Sequence, residues 1–403
     1  MNIVGNRNLR LLLEHQARTH PDKTFLIFED AQERVEVFTY GEFDRQVNRA
    51  ANALLALGLK KGDRFNLHLP NCPEFLYIWL GGAKIGAVMV PTNPASTVNE
   101  MEYILGHSES VLSVIQPECL ALLREVRSRC PGLRHLVACR TDEATSDVLL
   151  LSQLLAEAPP ELRPTELSSL DEAGMIYTSG TTARPKGVLL THANSIYAGE
   201  VVSKHLRLSP EDRHLVVLPL FHGNAQYYST MSTLVVGASM ALTERFSASR
   251  YFGQARRHEA TVASLFAAPM RMLLAQPERS EERHNNLRLV IFAQNLTEAQ
   301  LAEWHSRFGA PLCQIYGMTE VPFPMCNPLD YSRRNMAIGM CTLGYAAKVI
   351  DDQGREVQPG TTGQLLIRGE PGVGLMKGYF KNPQATAETI RDGWLWTGDN
   401  VYM

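Results

Sequence analysis

The segment that decides the fold reads YTSGTTARPKG and runs from Tyr177 to Gly187. Apolar runs lie on both sides of it, at 173–177 and 188–191, so the pattern predicts a loop between two strands. Small residues let backbone N–H groups approach phosphate oxygens, hydroxyl groups add donors, and a lysine supplies positive charge. The loop therefore suits a triphosphate, with candidate contacts at Thr178, Ser179, Gly180, Thr181, Thr182 and Lys186.

Two other interpretations of this loop are weaker. A Ser/Thr-rich tetrapeptide is common in solvated turns, but the pattern here is longer and more specific than a turn requires. The loop also lacks a GxxxxGKS or GxxxxGKT sequence, which counts against a P-loop hydrolase.

Helix and strand patterns alternate on both sides of the loop. Before it, apolar residues at 39–57 recur at helical spacing and end at Gly58. Strand-like runs at 65–69 and 86–90 enclose a helical pattern at 74–85. After the loop, strand-like runs recur at 215–218, 261–265 and 287–292. This alternation predicts a layered α/β fold.

The composition of the chain changes near Gly339. From there β-rich runs alternate with turn sequences, which predicts a small antiparallel β unit. A proline-rich stretch at 156–169 has the composition of a connector. We therefore expect a first α/β subdomain at 1–170, a second one with the phosphate loop at 171–335, and a β subdomain at 336–403.

Charge and composition exclude several classes of protein. The chain has 403 residues, 45% of them hydrophobic, and a net charge of -3, which excludes a disordered protein and gives no general basic field for nucleic acid. Seven scattered cysteines without a CxxC pair predict buried free thiols. The N-terminus has no signal-peptide pattern and no apolar run is long enough for a membrane span, so we expect a cytoplasmic protein.

The loop and its flank, YTSGTTARPKGVLLTH, resemble the signature of the adenylate-forming superfamily, which includes acyl-CoA synthetases, peptide-synthetase adenylation domains and luciferases. The resemblance covers essentially the whole chain. It implies the large N-terminal domain of these enzymes, with two layered α/β subdomains and a small β-barrel-like subdomain. The companion segments stand in the expected order: GAVMVPTNP at 86–94, PLFHGN at 219–224, YGMTE at 316–320, GQLLIRG at 363–369 and WLWTGD at 394–399.

The YGMTE and TGD segments supply the candidate catalytic and nucleotide-binding residues. Glu320 follows an apolar run at 312–315, and a carboxylate there suits Mg²⁺, although a helix-start acid is the alternative from the residues alone. The resemblance makes Glu320 the catalytic Mg²⁺ ligand, gives Thr319 a catalytic contact with the α-phosphate, and places Tyr316 and Gly317 beside the adenine. It assigns Asp399 to the ribose hydroxyls, where a turn aspartate would be the default.

Two further segments concern the nucleotide and the acid. Gln294 and Asn295 stand where relatives carry a glycine-rich turn near the adenine, so we expect a larger and more polar contact there. His222 lies in PLFHGN, where residue statistics favour a packed core histidine. The resemblance instead makes His222 a catalytic gate at the acid pocket, together with substrate contacts from Phe221, Asn224, Tyr227 and Met318.

Within the superfamily, TARPKG, FAQNL and KNPQATAETI look most like crotonobetaine/carnitine–CoA ligases. This resemblance implies a small polar or quaternary-ammonium acid, and medium-chain fatty or aryl acids stay open. A trimethylammonium group needs aromatic faces, because cation–π attraction replaces lost hydration. The candidate faces are Phe221, Tyr227, Tyr228 and Phe323.

The implied reaction uses ATP, Mg²⁺ and CoA or another phosphopantetheine thiol, and a homodimer is left open. The acid first forms an acyl-adenylate, and the thiol then displaces AMP. Relatives continue beyond TGD into a mobile C-terminal domain with a catalytic lysine, which is absent before the last residue, Met403. We therefore expect this chain to bind ATP and acid but to adenylate weakly; the alternative is a stand-alone nucleotide-binding module that needs a partner chain.

Overall fold

The computed structural model describes residues 3–143, 145–178, 184–329 and 333–403. The predicted contacts Ser179, Gly180, Thr181 and Thr182 lie outside these described residues. The α-helices of the described part are α1 Leu9–Thr19, α2 Tyr40–Ala56, α3 Pro73–Ile85, α4 Val98–Ser108, α5 Leu120–Arg129, α6 Leu151–Glu157, α7 His192–His205, α8 Ser232–Val236, α9 Tyr251–Arg257, α10 Ala267–Leu274, α11 Glu298–Phe308 and α12 Pro383–Thr389. A π-helix covers Asn224–Met231, and 3-10 helices cover Pro117–Cys119 and Ser280–Arg283.

The strands form three sheets, called here the first, second and third sheet. The first has the order β19-β9-β8-β4-β3-β5-β6-β7, the second β16-β15-β14-β13-β12-β10-β11-β1-β2, and the third β17-β18-β21-β20. The strands are β1 Thr24–Glu29, β2 Val35–Thr39, β3 Arg64–His68, β4 Val88–Pro91, β5 Ser110–Ile115, β6 His135–Ala138, β7 Leu149–Leu150, β8 Glu172–Thr178, β9 Lys186–Thr191, β10 Arg213–Val216, β11 Ser239–Thr243, β12 Val262–Phe266, β13 Leu289–Ala293, β14 Leu312–Met318, β15 Val321–Cys326, β16 Met340–Cys341, β17 Ala346–Ile350, β18 Gly363–Arg368, β19 Gly378–Tyr379, β20 Ile390–Arg391 and β21 Trp394–Val401.

The layered α/β fold predicted from the sequence is confirmed. The central strands of the first and second sheets pair in parallel, while the pairs at the site-bearing edges, β8 with β9 and β14 with β15, are antiparallel. Parallel neighbours require crossover helices, and these supply the layers on the sheets. The antiparallel edge pairs place the end of β8, where the predicted phosphate loop begins, close to the turn between β14 and β15.

Helix α2 shows why the periodic segments fold as predicted. Thr39 caps it: its side chain accepts from the Glu42 N–H, and the Glu42 side chain accepts from the Thr39 N–H in return. Phe43 and Val47 are fully buried on the face that packs against the core. Leu55, which fits the same spacing, is instead 43% exposed, although Leu54 in the same turn is only 4% exposed.

Sheet membership differs in two places from the expected division at residue 170. The strands β8 and β9, which flank the predicted phosphate loop, belong to the first sheet because β8 pairs with β4. The strands β1 and β2 belong to the second sheet because β1 pairs with β11. The third sheet is antiparallel throughout and lies within the expected β subdomain. The subdomain boundaries themselves stay a prediction.

A buried ionic cluster ties β1 to helix α9. The Glu29 side chain is completely buried and accepts from Arg250 at 2.8 Å, Gln254 at 2.8 Å and Arg257 at 3.0 Å. His258 Nε2 lies 2.7 Å from the second carboxylate oxygen. Burial alone raises the pKa of Glu29, but these hydrogen bonds and the Arg257 charge outweigh it, so the pKa lies below its ordinary value.

The cysteines largely follow the sequence-based expectation. All seven are free, and six are buried, but Cys341 is exposed because the two-residue strand β16 lies at the edge of the second sheet. Among the described residues, no helix combines the length and apolar character needed to span a membrane.

Candidate active site

Glu320 lies where the first and second sheets meet. It is the second residue of the two-residue turn between β14 and β15, and it is only 4% exposed. The residues Tyr316 to Met318, expected in the turn, instead complete β14. Thr178 Oγ1, at the end of β8 in the first sheet, lies 3.5 Å from Glu320 Oε1. The structure therefore brings Thr178 and Glu320 together from two different sheets.

Tyr379 completes this carboxylate environment, and sequence reasoning gave it no role. Its hydroxyl donates to Glu320 Oε1 at 2.9 Å, and the Lys186 ammonium lies 4.3 Å from the centre of its ring. Burial and the neighbouring Glu320 charge raise the pKa of Tyr379, so the hydroxyl keeps its proton and remains a donor. The aromatic ring thus links the predicted phosphate-binding lysine to the predicted Mg²⁺ ligand.

A second tyrosine–carboxylate pair joins the second sheet to the third. The Tyr316 hydroxyl donates to Asp399 Oδ2 at 2.5 Å. Burial, followed by the hydrogen bond with Asp399, raises the pKa of Tyr316. Asp399 is exposed and lies in β21, directly after Gly398, whose φ of 80° breaks the regular strand. Tyr316 and Asp399, predicted at the adenine and the ribose, are therefore direct neighbours.

Gln294 and Asn295 are both exposed, but only Gln294 lines the cavity described below. Asn295 turns away, since its side-chain oxygen accepts from Gln314 Nε2 at 2.8 Å and its carbonyl accepts from Arg271 at 2.9 Å. Gln314 is fully buried, and its Oε1 has no hydrogen-bond partner among the described residues. Sequence reasoning missed Gln314, although an amide within the apolar run 312–315 is a usable signal, because a buried amide needs partners.

Gly317 must be glycine because of how closely the chain packs around it. A Cβ at this position would clash with the Tyr228 hydroxyl and lie 2.8 Å from the Phe323 nitrogen. The absence of a side chain lets the end of β14 pass directly over these groups, and this close approach sets the position of Thr319 and Glu320.

A cavity of about 400 Å³ opens beside this turn. It collects four of the five residues predicted to contact the acid, together with Gln294, Gly317 and Thr319 from the predicted nucleotide site. The described lining residues carry no acidic or basic side chain other than His222. They are Leu218, Pro219, His222, Gly223, Asn224, Tyr227, Tyr228, Phe266, Ala293, Gln294, Gly317, Met318 and Thr319.

Two predicted aromatic contacts do not line this cavity. Phe221 packs against the core, and its ring is tilted by 46° against the His222 ring at a centroid distance of 4.5 Å. Phe323 is completely buried, with a φ of 57°, and its ring contacts Tyr228 from behind at 5.6 Å. Their neighbours His222 and Tyr228 line the cavity instead.

Tyr227 is the most unusual lining residue. It is 2% exposed, and its hydroxyl has no hydrogen-bond partner among the described residues. Burial raises the pKa of Tyr227 well above its ordinary value, so the hydroxyl is a neutral donor. It belongs to the π-helix at Asn224–Met231, and such irregular turns occur frequently at functional sites. An unpartnered buried hydroxyl beside a cavity can donate to a polar group of a bound molecule.

The fold and this arrangement define an adenylate-forming enzyme of the acyl-CoA synthetase class. The chain belongs to the AMP-binding enzyme family, whose sequence model matches residues 13–380. The resemblance predicted from the motifs is therefore confirmed.

Individual relatives agree with this assignment. The crotonobetaine/carnitine–CoA ligase of Salmonella paratyphi A is 38% identical over 411 aligned residues, which cover 100% of this chain and 79% of that ligase. The crystal structure of the anthranilate CoA ligase AuaEII with anthranoyl-AMP superposes with a TM-score of 0.92 at 25% identity, covering 99% of this chain and 76% of that one. The N-terminal domain of FACL13 from Mycobacterium tuberculosis has the same fold, with a TM-score of 0.87, 24% identity, and coverage of 98% and 97%.

The match to the N-terminal domain of FACL13 confirms the predicted fold class. This chain covers nearly all of a solved N-terminal domain but about three quarters of the longer ligase, whose C-terminal part it does not cover. The adenylate-forming, acyl-CoA ligase type of function follows from the family, whereas the acid and the role of each residue do not.

Proposed function

We propose that the site around Glu320 binds ATP with Mg²⁺ and that the adjoining cavity holds the carboxylic acid. The observation that carries this proposal is the convergence of Thr178 from β8, Tyr379 from β19 and Glu320 from the turn after β14, next to Lys186. Glu320 supplies an acceptor, and Thr178 and Tyr379 supply hydroxyl groups. Lys186 supplies a positive charge close to them. The roles implied by the sequence for Thr319 and Asp399 fit this placement, because Thr319 precedes Glu320 in the same turn and Asp399 accepts from Tyr316 of β14.

The chemistry proposed for the site has two steps. A carboxylate oxygen attacks the α-phosphorus of ATP, the bond to the bridging oxygen breaks, and pyrophosphate leaves with the electron pair. The thiol sulfur of CoA then attacks the acyl carbon, loses its proton, and displaces AMP. Both steps depend mainly on positioning and charge stabilisation. In this scheme Lys186 stabilises charge on the phosphates and Tyr227 donates to the acid.

Glu320 fits the requirements of the Mg²⁺ site. Its Oε1 accepts from Tyr379, and no described residue donates to Oε2. A carboxylate oxygen held in a fixed position is a preferred ligand for Mg²⁺, which keeps several waters and binds phosphate oxygens as well. When bound, Mg²⁺ would neutralise phosphate charge and favour the departure of pyrophosphate.

Replacing Lys186 with alanine tests ATP binding directly. We expect the dissociation constant for ATP to rise roughly tenfold, because a charge-assisted contact of about 1.5 kcal/mol or more is lost. Isothermal titration of both proteins with ATP and Mg²⁺ measures this change. Lys204→Ala, which removes an exposed lysine on α7, is the control and should bind ATP as the wild type does. Equal affinities for wild type and Lys186→Ala would exclude Lys186 from the site.

We further propose a betaine-type acid as the substrate. The aromatic residues Tyr227, Tyr228 and Phe266 line the cavity, and its described lining lacks an acidic side chain. A trimethylammonium group would therefore be held by aromatic faces instead of an ion pair. The relatives named crotonobetaine/carnitine–CoA ligases support the same class.

A pair of acids that differ only in charge tests this proposal. One carries a trimethylammonium group, and the other carries a tert-butyl group of the same shape. We expect the charged acid to bind roughly tenfold more tightly, and Tyr227→Leu to remove most of that preference. Competition against adenylate formation, measured by hydroxamate trapping, gives both affinities. Equal or tighter binding of the tert-butyl acid would contradict a betaine-type substrate and favour a fatty or aryl acid.

The alternative function, a nucleotide-binding module completed by a partner chain, gives a different result. Such a module binds ATP, and Lys186→Ala weakens that binding as expected above. It shows no ATP–pyrophosphate exchange with any acid. Exchange by the purified chain, even at a low rate, would establish that its own residues carry out the first step.

A further inference from the structure

The two stems of the predicted phosphate loop are both attached to helix α4. Tyr177, the next-to-last residue of β8, lies before the loop, and Pro185 lies just before β9. The Tyr103 hydroxyl donates to the Pro185 carbonyl at 2.8 Å. His107 Nδ1 and the Tyr177 hydroxyl form a hydrogen bond of 2.7 Å. Tyr103 and His107 are four residues apart, so one face of α4 reaches both stems.

Ring contacts make this attachment rigid. The rings of Tyr103 and His107 stack with a centroid distance of 5.4 Å and an interplanar angle of 24°. Tyr177 meets both rings edge-on, at 6.2 Å and 5.8 Å. The Arg184 guanidinium lies 5.4 Å from the Tyr103 ring centre, on the second stem. Stacked and edge-on pairs of this kind restrict the rotation of each side chain beyond what one hydrogen bond achieves.

We propose that Tyr103 and His107 are positioning residues that fix the end of β8 and the start of β9, and with them Thr178 and Lys186, in the positions that ATP binding requires. The proposal rests on the proposed ATP site and adds to it. Lys186 directly follows Pro185, so a shift of the Pro185 carbonyl moves the predicted phosphate-binding lysine. Residues held in place before ATP binds lose less conformational entropy on binding. Tyr103 and His107 thus act on ATP affinity through the positions of Thr178 and Lys186, without touching the nucleotide.

The first test measures the loop stems in the absence of ATP. Hydrogen–deuterium exchange of a peptide spanning 175–190 is compared among wild type, Tyr103→Phe and His107→Phe. Both substitutions keep an aromatic ring and remove only the hydrogen-bonding atom. We expect faster exchange in both variants. His107→Asn, whose side-chain amide can take the place of Nδ1, should return the exchange rate towards that of the wild type.

The second test measures ATP affinity. We expect each substitution to weaken ATP binding about fivefold, the equivalent of one ordinary hydrogen bond, and the double variant to lose less than the product of the two effects. The affinity for the acid should not change. Tyr40→Phe is the matched control, because its hydroxyl donates to the Ala238 carbonyl at 2.6 Å in another part of the fold. That variant should keep the wild-type affinity for ATP.

The outcomes separate this proposal from the proposed function. Unchanged exchange at 175–190 in Tyr103→Phe and His107→Phe would overturn the attachment of the stems to α4. Faster exchange with unchanged ATP affinity would overturn the positioning role. Faster exchange in a protein whose wild type does not bind ATP would refute the proposed ATP site while leaving the attachment of the stems supported.

Discussion

Replacement of Glu320 by glutamine is expected to lower acid-dependent ATP–pyrophosphate exchange by roughly 100- to 1000-fold, the range seen when one preorganised electrostatic group is removed. Glutamine has nearly the same shape, and its carbonyl oxygen can still accept from the Tyr379 hydroxyl. Only the negative charge of the proposed Mg²⁺ ligand is lost. The loss should therefore appear in the exchange rate and in the Mg²⁺ dependence of ATP binding, while the thermal unfolding temperature stays close to that of the wild type.

The control for this substitution is Glu303→Gln, which makes the same chemical change at an exposed position of α11. It should leave the exchange rate unchanged. Tyr379→Phe separates charge from positioning, because it keeps the carboxylate and removes the hydroxyl that orients it. We expect that variant to fall between wild type and Glu320→Gln. Exchange by Glu320→Gln within about twofold of the wild type would contradict a catalytic role for the carboxylate.

The linear motifs identified candidate residues of the site, but they did not indicate which of these side chains contact each other. Thr178 and Glu320 are 142 positions apart, and their proximity was implied by a resemblance, not by spacing. Tyr379 lies two residues before the segment KNPQATAETI, and its place beside Glu320 depends on a two-residue antiparallel pairing of β19 with β9. So short a pairing leaves no periodic pattern in the sequence, and it becomes visible only in the assembled sheet.

The same limit applies to the predicted acid pocket. Tyr227 lines the cavity, whereas Phe323 and Phe221 lie behind its wall. Residue type identified all three as possible aromatic faces. Which face of each segment points inward was set by the π-helix and by the positive φ of Phe323, neither of which has a sequence pattern that period counting detects.

Removal of the Glu29 carboxylate is expected to have the largest effect on stability. Glu29→Ala leaves Arg250, Arg257 and His258 without the acceptor that they share in a completely buried position. Breaking a buried ionic cluster by removing one partner costs about 3–5 kcal/mol. Chemical denaturation followed by tryptophan fluorescence measures the free energy of unfolding. The loss of stability is expected in β1 and α9. The folded fraction of the variant should therefore keep its affinity for ATP.

The exposed neighbour Glu33 provides a matched control, because it pairs with the same two arginines but its side chain is 51% exposed. Glu33→Ala should cost about 1 kcal/mol or less, since water screens such pairs. The pH dependence gives an independent check. Because the pKa of Glu29 is lowered on folding, its contribution is present above the unfolded pKa of about 4.3 and is lost as the pH falls through the folded value. The wild type should therefore lose stability more steeply than Glu29→Ala below about pH 4.3, and equal slopes would show that the folded cluster does not favour the charged carboxylate.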